Sequence, residues 1–277
     1  MESQAQTADT PLKEQLAKLK ILLAEDSLVN QKVILSLLKH LGGTADVVGD
    51  GQAVLNSLRA THYDIILMDC QMPKMDGYGA TRGIRALEAT RRTVIIAMTA
   101  DLDQGDWLKC IEAGMDDYLS KPVRSDELAA KLLYWSEHLT SATRENPQLL
   151  LALDSDLSAG AHQESLTSLI DWDYLHELSD GNEAFELELL ETLMGATLPH
   201  LELLRTNIAI ADFKKIEQEA HYIKGSTASI GAKGLEALAG RLEEQAQDQQ
   251  IEDMDDLMLK IEQGFSQLRA LITLMNP

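Results

Sequence analysis

Five polar residues stand where short apolar runs end. Glu25 and Asp26 close the run KILLAE (20–25), Asp69 closes DIILMD (64–69), Thr99 lies at the end of VIIAMTA (94–100), and Lys121 closes DYLSK (117–121). Three carboxylates gathered in one pocket repel one another unless a cation sits among them, and an all-oxygen donor set suits Mg²⁺. A metal there cancels charge on an incoming phosphoryl group and leaves one carboxylate oxygen to attack phosphorus. A lysine and a hydroxyl reaching the same oxygens complete an electrostatic clamp. No strong base is needed when the nucleophile is already a carboxylate. A single Asp at a strand end is usually a helix cap or a surface group, so the weight rests on the ordered set of five.

A second group lies in AHYIKGS (220–226). Apolar positions Ile216, Ala220, Ile223, Thr227 and Ile230 recur at helical spacing, which puts His221 about 100° around the helix from Ala220, at the margin of the solvent face. Lys224 and Gly225 follow at i+3 and i+4. Glycine inside a helix costs about 1 kcal/mol relative to alanine, and here the missing side chain clears space beside the imidazole for another protein's loop. A neutral imidazole nitrogen is nucleophilic, and the phosphoramidate it forms gives its phosphoryl group away readily. Lys224 can neutralise that group, and Ser226 adds a nearby hydroxyl. A helical histidine is more often a boundary residue; His162, His176 and His200 lack this setting and read as incidental.

The elements that must position these residues follow two patterns. From Lys20 to about Leu139, strand runs near 20–25, 44–48, 64–69, 94–100 and 117–121 alternate with helices near 28–41, 52–59, 79–88, 105–114 and from 125 onward. Apolar runs alternating with helices predict a five-stranded parallel sheet covered on both faces, a doubly wound α/β domain whose functional edge is the carboxyl ends of its strands. Residues 1–19 form a lead, with 10–19 either a short amphipathic helix or disordered. Residues 140–171 read as a linker. From 172 to 277 strand signals vanish, and helices near 172–178, 181–194, 197–210, 212–230, 232–246 and 251–273 predict an all-helical bundle.

The first domain resembles the receiver domain of response regulators. AED (24–26), LMDCQMPKMDGY (67–78), AMTA (97–100) and GMDDYLSKP (114–122) carry the resemblance, in that family's order and spacing. It implies that Asp69 is the phosphoacceptor. Glu25 and Asp26 then hold Mg²⁺ with the main-chain carbonyl of Gln71, Thr99 contacts the phosphoryl group, and Lys121 pairs with Asp69 or the phosphate. It also implies that the Tyr118 ring follows phosphorylation and that Pro122 follows the lysine, often through a cis bond. Asp76 and Gly77 make a turn, Gly77 supplying a backbone angle that other residues resist. AHYIKGSTASIGAKGLEALAGRLE (220–243) is similar to the histidine-containing phosphotransfer (HPt) domain, which implies that His221 is phosphorylated with Lys224 and Gly225 as companions. Ile230 and Gly231 would end its helix.

Bulk properties narrow the class. The net charge of −21 is uneven, −5 over 1–139, −3 over 140–170 and −13 over 171–277, and so acidic a surface disfavours nucleic acid. No run of 18 apolar residues and no signal-peptide pattern occurs, so a cytoplasmic protein without direct membrane contact is expected. Cys70 and Cys110 read as reduced core thiols. The partners implied are an upstream histidine kinase and a downstream receiver domain. The alternatives are an adaptor controlled by phosphorylation at Asp69, a C-terminal fragment of a hybrid sensor histidine kinase, and a Mg²⁺-dependent hydrolase. The last lacks a substrate pocket and an acid/base group. No nucleotide-binding glycine loop of a kinase is present, so enzymatic activity beyond transfer on the chain's own side chains is left open.

Overall fold

A computed structural model describes residues 9–88, 92–99, 104–139 and 169–275. Strands β1 (Ile21–Ala24), β2 (Ala45–Val48), β3 (Ile65–Asp69), β4 (Val94–Thr99) and β5 (Asp117–Ser120) form one parallel sheet in the order β2-β1-β3-β4-β5. The three central strands are buried along their whole length, because they are apolar on both faces. Ile21, Leu23, Ile65, Leu67, Ile96 and Met98 face one layer, and Leu22, Ala24, Ile66, Met68, Ile95 and Ala97 face the other. This period of two lets each strand seal two cores.

Helices α1 (Asp9–Leu16), α2 (Leu28–His40), α3 (Gly51–Ala60), α4 (Gly77–Leu87), α5 (Gln104–Ala113) and α6 (Ser125–His138) complete this unit. Ser27, Asp50 and Asp76 cap α2, α3 and α4, accepting bonds from the main-chain N–H groups of Asn30, Ala53 and Gly79. Leu16 at the end of α1 is fully buried, so this short helix joins the core. The expected segments 1–8 and 140–168 lie outside the described residues.

Beyond them, α7 (Trp172–Ser179), α8 (Glu183–Ala209), α9 (Phe213–Ala228), α10 (Lys233–Gln247) and α11 (Met254–Met275) form an all-helical bundle. Two helices, 181–194 and 197–210, were expected where α8 runs unbroken through Gly195 and Pro199. An interior proline costs about 3 kcal/mol. Against that, Leu189, Leu190, Leu193, Met194, Leu201, Leu204 and Ile208 keep one buried stripe across the join, each worth about 1.5–3 kcal/mol. The α9 stripe Ile216, Ala220, Ile223 and Thr227 is fully buried, as its spacing requires. Gly231, in left-handed backbone with φ 75°, turns the chain after it.

Candidate functional site

Parallel register brings the carboxyl ends of β1, β3 and β5 to one edge of the sheet. There one oxygen each from Glu25, Asp26 and Asp69 lies within 4.8 Å of the others. Lys121 enters the same pocket, its Nζ 2.8 Å from Asp69 Oδ2 and 2.7 Å from Glu25 Oε2. Burial, and then the charge of Asp69, push Glu25 up to about 8 against the pull of Lys121, and the same two causes push Asp26 up to about 6. Burial works against the Lys121 charge, yet Asp69 and Glu25 hold its ammonium group above its ordinary range.

The Glu25 Oε2 contact with Lys121 lacks hydrogen-bond geometry and leaves that buried oxygen without a hydrogen-bond partner. An under-satisfied carboxylate oxygen among three acidic groups and one lysine fits a hard divalent cation such as Mg²⁺. Gln71 follows at the pocket rim, its N–H donating to Asp69 Oδ1 at 3.1 Å. Thr99 is buried at the end of β4, and its main-chain oxygen accepts from Lys121 N at 2.8 Å. The Lys121–Pro122 bond is cis. Tyr118 is half-buried, with Lys131 Nζ 5.0 Å from its ring centre.

One expectation about the surrounding loop needs correction. Gly77 is not in left-handed backbone; that conformation belongs to Lys74, φ 64°. Gly77 is required by contact instead, because a Cβ there would lie 2.2 Å from the main-chain oxygen of Asp69. Cys70 and Cys110 are free buried thiols with their sulfurs 4.0 Å apart, and their mutual contact and burial raise the Cys70 thiol.

On the bundle, His221 is half-buried, its side chain 17% exposed. Its Nδ1 lies 2.6 Å from Glu243 Oε1 on α10, and Lys224 Nζ lies 3.0 Å from Glu243 Oε2. Although burial opposes it, His221 and Lys224 hold the Glu243 carboxyl below the usual range. Glu243 was not foreseen from sequence: it sits 22 residues from His221, and only the pairing of α9 with α10 reveals it. With Nδ1 turned to a carboxylate, Nε2 is the imidazole nitrogen left for chemistry.

Ser226 does not serve His221. It is fully buried, and its hydroxyl lies 2.8 Å from Ser27 Oγ, at the start of α2. Gly225 likewise faces α2; a Cβ there would meet Asn30 Nδ2 at 3.9 Å. Ser229 Oγ donates to Asn30 Oδ1 at 2.6 Å, and Lys32 on α2 pairs with Glu188 on α8. The bundle therefore packs against the receiver-like unit along α2. His200, read from sequence as incidental, stacks on Tyr222 with ring centres 3.6 Å apart, and its charge bears on Asp26. His176 pairs with Glu186 within the bundle, and His162 lies outside the described residues.

This fold and site define a two-component signalling protein. Within that class the chain is a receiver domain followed by an Hpt domain: residues 21–133 match the response regulator receiver domain, and residues 188–271 match the Hpt domain. It is 29% identical over 251 residues to the virulence sensor protein BvgS of Bordetella pertussis, covering 88% of this chain and 20% of that one. To the sensor protein GacS of Pseudomonas syringae pv. syringae it is 27% identical over 253 residues, covering 88% and 27%. A crystal structure of the receiver domain of the sensor histidine kinase PA1611 from Pseudomonas aeruginosa PAO1, with magnesium in its active site cleft, is 49% identical; the match covers 43% of this chain and 98% of that one, with a TM-score of 0.41. The chain spans only 5% to 27% of the length of the curated relatives it matches. Its class function is phosphorelay signal transduction. Among the described residues, no helix is long and apolar enough to cross a membrane.

Proposed function

We propose that Asp69 accepts a phosphoryl group and that His221 carries it onward. The observation that supports this most is the buried contact of Lys121 with both Asp69 and Glu25 inside a three-carboxylate cluster. In the first step an Asp69 carboxylate oxygen attacks phosphorus on a kinase phosphohistidine, and the phosphorus–nitrogen bond to that donor breaks. Glu25, Asp26, Asp69 and the Gln71 carbonyl would hold Mg²⁺, which when bound would neutralise charge on the phosphoryl oxygens. Lys121 pairs with those oxygens, and the Thr99 hydroxyl hydrogen-bonds to them. The Tyr118 ring follows phosphorylation of Asp69, and Pro122 succeeds Lys121 at the end of β5.

In the second step His221 Nε2 attacks phosphorus, and the bond to Asp69 breaks, restoring the carboxylate. Glu243 holds the ring by Nδ1, and Lys224 offsets the charge gained. Gly225 and Ser226 both lie at the seam with α2. We assign 20–139 to the receiver and 172–277 to the Hpt domain, with 140–171 as linker. The partners are an upstream histidine kinase and a downstream receiver, in a cytoplasmic setting.

Two variants test this reading with a phosphorylated kinase as donor. Asp69→Asn is expected to lose the base-labile label, and His221→Gln to keep it while failing to pass phosphoryl groups to a downstream receiver. Onward transfer by His221→Gln would overturn the assignment.

A further inference from the structure

Close to the acidic pocket, buried polar groups join the receiver to the bundle. Ser229 Oγ, on the bundle, donates to Asn30 Oδ1 at 2.6 Å, and Asn30 Nδ2 donates to Glu25 Oε1 at 2.9 Å. Ser27 N–H also donates to Glu25 Oε1, at 3.2 Å, while Ser27 Oγ meets Ser226 Oγ. Both donors on Glu25 Oε1 thus come from residues that the bundle touches. Ser229, Asn30 and Glu25 are 5%, 4% and 0% exposed, so water cannot readily replace a missing partner. The other Glu25 oxygen faces Lys121 and the candidate cation site.

We infer that Asn30 is a positioning residue through which seating of the chain's own Hpt bundle orients Glu25 and so sets the receiver's affinity for a divalent cation. A carboxamide has two ends, and the Ser229 hydroxyl on its oxygen turns its N–H toward the carboxylate. Glu25 then presents one fixed oxygen to the cation, as groups bonded to metal ligands commonly do for the ligands they hold. Receiver and Hpt domain are therefore linked reciprocally: cation binding favours seating as much as seating favours cation binding. The inference rests on the proposed cation site but not on phosphoryl transfer.

The test is a Mg²⁺ titration of the full chain by calorimetry. Asn30→Ala is expected to weaken Mg²⁺ binding about tenfold, and Ser229→Ala, which touches no pocket residue, about threefold. Combined with Asn30→Ala, Ser229→Ala should add nothing, because it acts through the amide. Unchanged affinity in Ser229→Ala, or multiplying effects in the double variant, overturns the inference, whereas a merely structural seam would move thermal stability alone. Should Ser229→Ala fail to fold, nuclear magnetic resonance of the wild type decides. Mg²⁺ is expected to shift the Asn30 side-chain amide and the main-chain amides of 226–230, and silence in the bundle overturns the link. The phosphorylation variants fail or succeed separately, so a failure here is distinguishable from failure of the relay reading.

Discussion

Lys121 Nζ lies 2.8 Å from Asp69 Oδ2 and 2.7 Å from Glu25 Oε2, so one buried ammonium group ties the end of β3 to the end of β1. It offsets part of the repulsion that three gathered carboxylates create, and it stands where phosphoryl oxygens would arrive. Removing one partner from a buried charged set leaves the others uncompensated.

Lys121→Met is therefore expected to destabilise the metal-free receiver by about 3–5 kcal/mol, with Mg²⁺ restoring part of the loss. Urea unfolding with and without Mg²⁺ measures both. A loss below about 1 kcal/mol would mean that the ion contacts contribute little.

Gly77→Ala drives a Cβ into the main-chain oxygen of Asp69 at 2.2 Å. A cost of about 1–3 kcal/mol or more is expected, together with weaker Mg²⁺ binding because the end of β3 must move. Gly195 lies in the middle of α8, where an added Cβ would meet nothing within 4 Å, so Gly195→Ala should stabilise by up to about 1 kcal/mol. Equal signs for the two variants would contradict this reading.

In the metal-free protein, Glu25 at about 8 and Asp26 at about 6 stand above their ordinary values of 4.5 and 3.8. The folded state then binds more protons than the unfolded state, so stability from these groups is fully present below their ordinary values of 3.8 and 4.5 and is lost as pH rises from there through about 6 and about 8. Mg²⁺ competes with those protons. Its apparent affinity should rise across the same window with proton release, which calorimetry in buffers of different ionisation enthalpy detects. A flat affinity from about pH 5.5 to 8.5 would argue against shared occupancy.

Glu243→Gln removes the carboxylate that His221 Nδ1 and Lys224 share. The imidazole tautomer ratio, read from ring nitrogen shifts, should move toward Nε2–H, and transfer to His221 should slow while Asp69 still labels. An unchanged ratio would show that Glu243 does not orient the ring.

The strand ends were legible because each central strand is apolar on both faces, and polar groups can stand only where the run stops. Likewise the α9 stripe from Ile216 to Thr227 announced a buried face and put His221 at its edge. The seam was not legible: Ser27, Asn30, Ser226 and Ser229 are small polar residues with no period, and their meaning depends on docking across 199 residues of sequence. Glu243 and His200 were hidden for the same reason. The continuity of α8 through Pro199 was missed because local propensity is outweighed by burial on both sides of the proline.

The most direct measurement is a time course of wild type, Asp69→Asn and His221→Gln with acetyl phosphate and Mg²⁺, separating base-labile from acid-labile phosphate. In the wild type, base-labile label should appear first and acid-labile label follow; His221→Gln should hold only the former, and Asp69→Asn neither. Acid-labile phosphate forming in Asp69→Asn at the wild-type rate would contradict passage of the phosphoryl group from Asp69 to His221.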